Sequence, residues 1–302
     1  MKKLDELFDL IKGEKIKYLI AVCANDTSTL IAVHQAVEKK IIKGILIGDK
    51  LKINSICHEA GIDIEQFTIF HQPIEERALQ LAISMINKGE GDLLMKGMVA
   101  TDKFMRAILN KENGLTEPGK LVSHITVLEN INYPKLLIVC DVAIIPLPDL
   151  NQKIQMITYM VEIASYLNIV SPKVAILAPS EKVIPSIQSS TEGALLSKMG
   201  DRGQIAGCII DGPLSLDIAI DPGAALIKGI TSPIAGDADC LLFPNLESGN
   251  IFYKVNTKLA HAEMAAIVMG TRIPVILPSR GDTTRVKLFS LALGALMIAE
   301  KE

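Results

Sequence analysis

Residues 18–40 read YLIAVCANDTSTLIAVHQAVEKK. The apolar run YLIAVCA passes through the polar NDTST into LIAVHQAVEKK, where apolar residues recur at helical spacing. That succession is a strand, a turn and an amphipathic helix. The unit repeats outward along the chain. GILIG (44–48) precedes a helix around LKINSICHEAG, FTIF (67–70) precedes PIEERALQLAISMINKG, and LLMKG (93–97) precedes TDKFMRAILNK. Strands regularly separated by helices predict an α/β fold with a mainly parallel sheet.

The rhythm breaks between residues 113 and 148. ENGLTEPGK is rich in turn formers, and SHITVLE (123–129) and KLLIVCDVAII (135–145) are two apolar runs joined by NINYP. That spacing predicts an antiparallel pair and a change of lobe. A long amphipathic helix follows at 149–168, with Asp149 as its N-cap. The alternation then resumes with KVAILAP, the helix ALLSKM, IAGCIIDG, ADCLLFPN, a helix over KVNTKLAHAEMAAIVMG (254–270), and finally PVILPS with a closing helix. Two α/β lobes are expected, a first over 1–128 and 271–302 and a second over 129–270.

Composition narrows the functional classes. Hydrophobic residues make up 49% of the 302, aromatics only 4%, and Trp is absent. The core is therefore aliphatic, as in parallel sheets covered by helices. A net charge of −3 gives no electrostatic reason to expect nucleic acid or an anionic membrane as partner. The opening MKKLDELFDLIKGEK lacks the apolar run of a signal peptide, and no apolar stretch approaches a membrane span. Five cysteines (23, 57, 140, 208, 240) without CxxC spacing read as reduced core thiols. A cytoplasmic protein is expected.

Ligands of open α/β sheets collect beyond the carboxyl ends of the strands, so polar residues just after strand-like runs are the candidates. After LLM come Lys96 and Gly97, then a helix capped by Thr101 or Asp102 and carrying Arg106. Its N-terminus offers free N–H groups to an anion and Arg106 a bidentate clamp, or it is a capped surface helix. Asp211, with Asp217 beyond it, could hold a ligand or metal, or Asp211 could form a turn with Gly212 and Pro213. Asn245, Ser248, Gly249 and Asn250 form a small polar loop ahead of Tyr253 and Lys254, suited to close approach by a ligand. Ser279, Arg280 and Asp282 follow VIL. They join a hydroxyl and a guanidinium where a phosphate would sit, or Asp282 or Thr283 simply caps the last helix.

Several chemistries lack their signals. Neither G-x-G-x-x-G nor the P-loop pattern occurs, the histidines (34, 58, 71, 124, 261) show no HExxH, and no G-x-S-x-G elbow is present. Asp237 and Asp239 in GDAD suggest either hard-metal ligands or an ordinary turn before a strand.

Taken together, LLMKGMVATDKFMRAILNKENGL, GKLVSHITVLE, PDLNQKIQMI, ALLSKMGDRGQIAGCIIDGPLSLDIAI, SPIAGDADCLLFPNLESGNIFYK and PVILPSRGDT resemble the phosphate acetyl/butyryltransferase family in order and spacing. The resemblance covers essentially the whole chain. MKG and SKMGDRGQI are most like the butyryltransferase branch. It implies the reversible reaction of an acyl-CoA with phosphate to give acyl phosphate and CoA, in a homodimer or larger assembly, without a metal or bound cofactor. It also implies two α/β/α lobes with a cleft between them, similar to isocitrate and isopropylmalate dehydrogenases, with the last strand and helix returning to the first lobe.

The residue roles implied are specific. Arg280, Ser279 and Arg106 would bind phosphate and stabilise charge, with Thr101, Asn245 and Lys254 as further contacts. Lys96, Gly97, Ser123, Asp211, Ser248 and Gly249 would face CoA or substrate. The acetyltransferases carry a catalytic Asp six residues after the Arg, which here is Val286 and cannot be a base. The butyryltransferase branch carries Asp two residues after it, Asp282, either as the base for the CoA thiol or as a cap that orients Arg280. Competing expectations are a phosphate acetyltransferase, a metal-dependent hydroxy-acid dehydrogenase of the same fold using Asp211, Asp217 or Asp237, and a phosphate- or CoA-sensing module without turnover.

Overall fold

A computed structural model describes residues 1–298. The strands are β1 (Lys17–Val22), β2 (Ile42–Gly48), β3 (Phe67–His71), β4 (Leu93–Lys96), β5 (Ser123–Glu129), β6 (Leu137–Cys140), β7 (Lys173–Leu177), β8 (Ile209–Leu214), β9 (Cys240–Leu242), β10 (Glu263–Met269) and β11 (Val275–Ile276). The fold is α/β on mostly parallel strands, and it divides into two compact units. Among the described residues one comprises 5–122 with 264–298, the other 1–4 with 123–263.

The first unit orders its strands β3-β2-β1-β4-β11-β10. β1 pairs in parallel with β2 and β4, and β4 with β11; only β10 runs antiparallel, against β11. β1 and β4 are nearly all buried, which explains why they read as unbroken apolar runs. The opening stretch folds as expected. Asp26 caps the helix Thr27–Glu38 by accepting from the Thr29 N–H, and that helix buries Leu30, Ala32, Val33 and Ala36. Helix Thr284–Ile298 is buried from Val286 through Leu296. Its buried stretch is apolar except for Lys287 and Ser290, because it lies inside its unit.

The second unit orders its strands β5-β6-β9-β7-β8. SHITVLE and the run after NINYP do pair antiparallel, Thr126 opposite Val139, while β6, β9, β7 and β8 are parallel. Helix Leu150–Tyr166 begins at a capping box formed by Asp149 and Gln152.

Two expectations need correction. The stretch 254–270 is not one helix: the helix is Leu246–Lys258, and Glu263–Met269 is strand β10. Met and Ala there suit a helix, but His261 takes a left-handed φ of 51° and the following residues are buried in a sheet, so tertiary packing overrides propensity. The apolar run 135–145 ends as a strand at Cys140. Strand pairing sets the bounds of the compact units. Residues 123–128 pack with 129–263 because β5 pairs with β6, and residues 264–270 pack with 271–298 because β10 pairs with β11.

Candidate active site

In the first unit the carboxyl ends of β1, β4 and β11 lie side by side, with Val22 opposite Lys96 and Met95 opposite Ile276. Lys96, Gly97, Ser279, Arg280 and Asp282 all follow from those ends. Lys96 is 1% exposed, and its Nζ donates to the carbonyls of Gly97 at 3.1 Å and Val99 at 3.2 Å. Burial, then the cations Arg280 and Lys287, push Lys96 down to about 8, against the opposing pull of Asp26 and Asp282. Gly97 is needed for closeness, since a Cβ there would lie 2.2 Å from the Cys23 carbonyl oxygen.

The loop after β11 is held by its own carboxylate. Asp282 Oδ2 accepts from the Ser279 N–H at 2.7 Å, and the Asp282 N–H donates to the Ser279 carbonyl at 3.1 Å. Asp282 is thereby buried, while Arg280 projects into solvent and forms no ion pair among the described residues. Thr283, not Asp282, covers the start of the last helix, accepting from the Val286 N–H at 3.2 Å. Val286 itself is 4% exposed in the core.

One turn of helix further on, Lys287 was not singled out by the sequence reading. It is 3% exposed and donates to Asp26 Oδ1 at 3.1 Å, Ser28 Oγ at 2.7 Å and Thr29 Oγ1 at 2.9 Å. Burial works against the Asp26 carboxylate, but hydrogen bonds from Thr29 and Ser28 and the Lys287 charge hold it below the ordinary carboxylate range. A lysine inside an apolar helical run was the only available signal, because a charge there must find a partner.

Arg106 and Thr101 are exposed on the helix that follows β4. Helix Thr101–Ile108 is capped by Ala100 without a side-chain bond, so neither Thr101 nor Asp102 caps it. Both residues are exposed at its first turn. Asp102 instead pairs with Arg106 at 3.7 Å across one turn, both well exposed. Arg106 lines a groove of 730 Å³ shared with the helix Glu75–Asn87, beside Lys103, Leu79 and Ile83.

The second unit gathers a different cluster around Asp141, also unforeseen. Its Oδ2 accepts from Ser123 Oγ and the His124 N–H, both at 2.9 Å, and its Oδ1 from the N–H groups of Ala143 and Ile144 at 2.7 and 2.8 Å. Gly249 packs against the same residue, where a Cβ would lie 2.1 Å from the Asp141 carbonyl oxygen. Asn250 Nδ2 donates to the Val142 carbonyl. Asn245 is the N-cap of helix Leu246–Lys258, so Ser248, Gly249 and Asn250 form its first turn and not a loop; Asn245 Oδ1 accepts from the Ser248 N–H at 3.0 Å.

The remaining candidates lie elsewhere in that unit. Lys254 is exposed on the third turn of the helix, its Nζ 5.2 Å from the Tyr253 ring centre. Asp211 lies inside β8 and not at its end, with Oδ1 accepting from the Gly212 N–H at 2.8 Å. Asp217 pairs with Lys228 at 2.9 Å and is held down to about 2 by hydrogen bonds from Ser215 and Lys228. Asp237 and Asp239 both pair with Lys135 at 2.8 Å. Among the described residues no group of three or more His, Cys, Asp or Glu could hold a metal ion.

Two buried lysines, Lys96 and Lys287, and the exposed Arg280 thus act on one another at the strand ends of the first unit. The family described as Phosphate acetyl/butaryl transferase matches residues 66–295. The chain belongs to that family. It is 40% identical over 301 residues to the phosphate butyryltransferase of Clostridium acetobutylicum, covering 100% of both chains. It is 38% identical to the phosphate acetyltransferase of Thermotoga maritima, covering 97% of this chain and 99% of that one. Among solved structures, a branched-chain phosphotransacylase from Enterococcus faecalis V583 superposes with a TM-score of 0.82 at 26% identity, covering 94% of this chain and 100% of that one. No described helix of this family member is long and apolar enough to cross a membrane.

Proposed function

We propose that this phosphate acyltransferase interconverts butyryl-CoA, or a branched short-chain acyl-CoA, plus phosphate with acyl phosphate plus CoA, acting in the cytoplasm as a homodimer. The observation that carries this reading is that Arg280, on the loop Asp282 holds at the Ser279 N–H, and Lys287 both act on the buried Lys96 ammonium. Three cations against the two carboxylates Asp26 and Asp282 leave a positive site for a phosphate.

In the direction of CoA acylation, the CoA thiolate attacks the carbonyl carbon of the acyl phosphate in a ternary complex. The C–S bond forms, the C–O bond to phosphate breaks, and phosphate leaves with the bonding pair. Ser279 and Arg280 hold the phosphoryl group and the charge that develops on it. Asp282 takes the thiol proton, with its carboxylate oriented by the Ser279 N–H. Arg106, Thr101, Asn245 and Lys254 are proposed as outer phosphate contacts, and Gly97, Ser123, Asp211, Ser248 and Gly249 as CoA or substrate contacts. Each unit is proposed to be an α/β/α lobe of the isocitrate and isopropylmalate dehydrogenase kind.

The test is release of free thiol from butyryl-CoA on addition of phosphate, without metal or nicotinamide. A scan from acetyl- through butyryl- to isobutyryl-CoA should peak at four carbons. A peak at acetyl-CoA would make the protein a phosphate acetyltransferase, and no thiol release from any short or branched acyl-CoA would overturn the reading.

A further inference from the structure

The Lys96 ammonium group has an unequal set of partners. A charged ammonium carries three hydrogens and a neutral amine two, and the protein offers its Nζ two acceptors, the carbonyls of Gly97 and Val99. Among the described residues it forms no ion pair. It is nevertheless fully buried at the end of β4, and charged or titratable groups face it from each neighbouring element. Asp26 and the Cys23 thiol come from the end of β1 and its turn, Arg280 and Asp282 from the loop after β11, and Lys287 from the last helix. The nearer carboxylates are already engaged, Asp26 by Lys287 at 3.1 Å and Asp282 by the Ser279 N–H at 2.7 Å. Each hydrogen of the neutral amine thus has an acceptor, while the ammonium carries one hydrogen more than these two carbonyls take.

We propose that Lys96 is a positioning residue that takes up a proton from solvent when a phosphate dianion binds at Ser279 and Arg280, and that Lys287 sets its readiness to do so. The inference rests on the assignment of Ser279 and Arg280 to phosphate. Being buried, Lys96 acts through Arg280 and does not touch the anion. A dianion at the guanidinium offsets the cation repulsion that disfavours the Lys96 ammonium, and in a low-dielectric interior that interaction is felt over several ångströms. The lowered value of about 8 places the linkage where it can be measured. Below it Lys96 is already protonated and binding takes up nothing. Above it binding draws in a proton, so phosphate affinity falls as pH rises. Lys287 opposes protonation as a second buried cation and neutralises Asp26, which would favour it.

The experiment is calorimetric titration of the full chain with inorganic phosphate, in two buffers of different ionisation enthalpy. At about pH 8.5 phosphate is already the dianion, and uptake of about half a proton per site is expected; near pH 6.5 Lys96 takes up none, and phosphate, there mostly the monoanion, instead releases up to about one proton as it binds as the dianion. Lys96→Met should abolish the uptake, Lys96→Arg should restore affinity without it, and Lys287→Met should move its onset to higher pH. Thiol release and phosphate binding without proton uptake at pH 8.5, or uptake that persists in Lys96→Met, would overturn the role of Lys96 while leaving the acyltransferase reading standing. Absence of both phosphate binding and thiol release would overturn that reading, and this inference with it. The wild-type pH series decides the matter even if the Lys96 variants do not fold.

Discussion

The Lys287 ammonium lies 3.1 Å from Asp26 Oδ1, joining the last helix of the chain to the cap of its first long one. Both side chains are largely buried, 3% and 17% exposed. Lys287→Met leaves Asp26 as a buried charge without its partner and should cost about 3–5 kcal/mol of stability, read as a lower urea midpoint. The depressed Asp26 carboxylate contributes stability above the ordinary carboxylate range, and that contribution is lost as pH falls through its folded value. The variant should therefore show a shallower acid limb in a plot of stability against pH.

Arg280 projects from a loop fixed by Asp282. Arg280→Ala should raise the KM for phosphate and lower kcat in thiol release by about 10²–10³-fold, with the melting temperature unchanged. A change confined to stability would remove it from the proposed site.

Asp282→Asn keeps the shape of the Ser279 turn while removing the base. The loss in kcat should shrink as pH rises, because CoA thiol then ionises without help. A pH-rate profile that stays parallel to wild type would leave Asp282 only its turn-holding role.

Gly97→Ala places a Cβ 2.2 Å from the Cys23 carbonyl oxygen, and backbone cannot move aside as a flexible side chain would. A stability loss of about 1–3 kcal/mol is expected, accompanied by weaker phosphate binding because Lys96 and the β4 end must shift. Denaturant midpoint and calorimetry measure the two.

Cys23 is 3% exposed, and burial with the nearby charges of Glu75 and Glu76 pushes its thiol up to about 11. Its alkylation by iodoacetamide at neutral pH should be slow in the native protein and rise steeply on unfolding, since the thiolate is the reactive form. Mass spectrometry of the labelled peptide reads this directly.

The strand–turn–helix rhythm was legible because apolar runs and helical spacing are local properties. Asp26, Asp149 and Asn245 act as caps through bonds spanning three residues, and Ser279–Asp282 is likewise a local turn. Position after a strand was therefore enough to mark Lys96, Gly97, Ser279, Arg280 and Asp282 as candidates, but not to say that the two groups meet. Strand β10 was not legible, since Met264–Ala266 suit a helix until a sheet claims them.

By itself, then, the sequence determined the α/β class, the cap at Asp149, the antiparallel pair after residue 122 and the loop that carries Arg280, all features of short range. Only the tertiary structure decided that Lys287 answers Asp26 across 261 residues, that Lys96 is buried against two carbonyls, and that Asp141 gathers Ser123, Ala143 and Ile144. The physical reason is the same in each case. A buried charge or dipole must be matched by whatever packing brings to it, and chain order alone does not say which groups those will be.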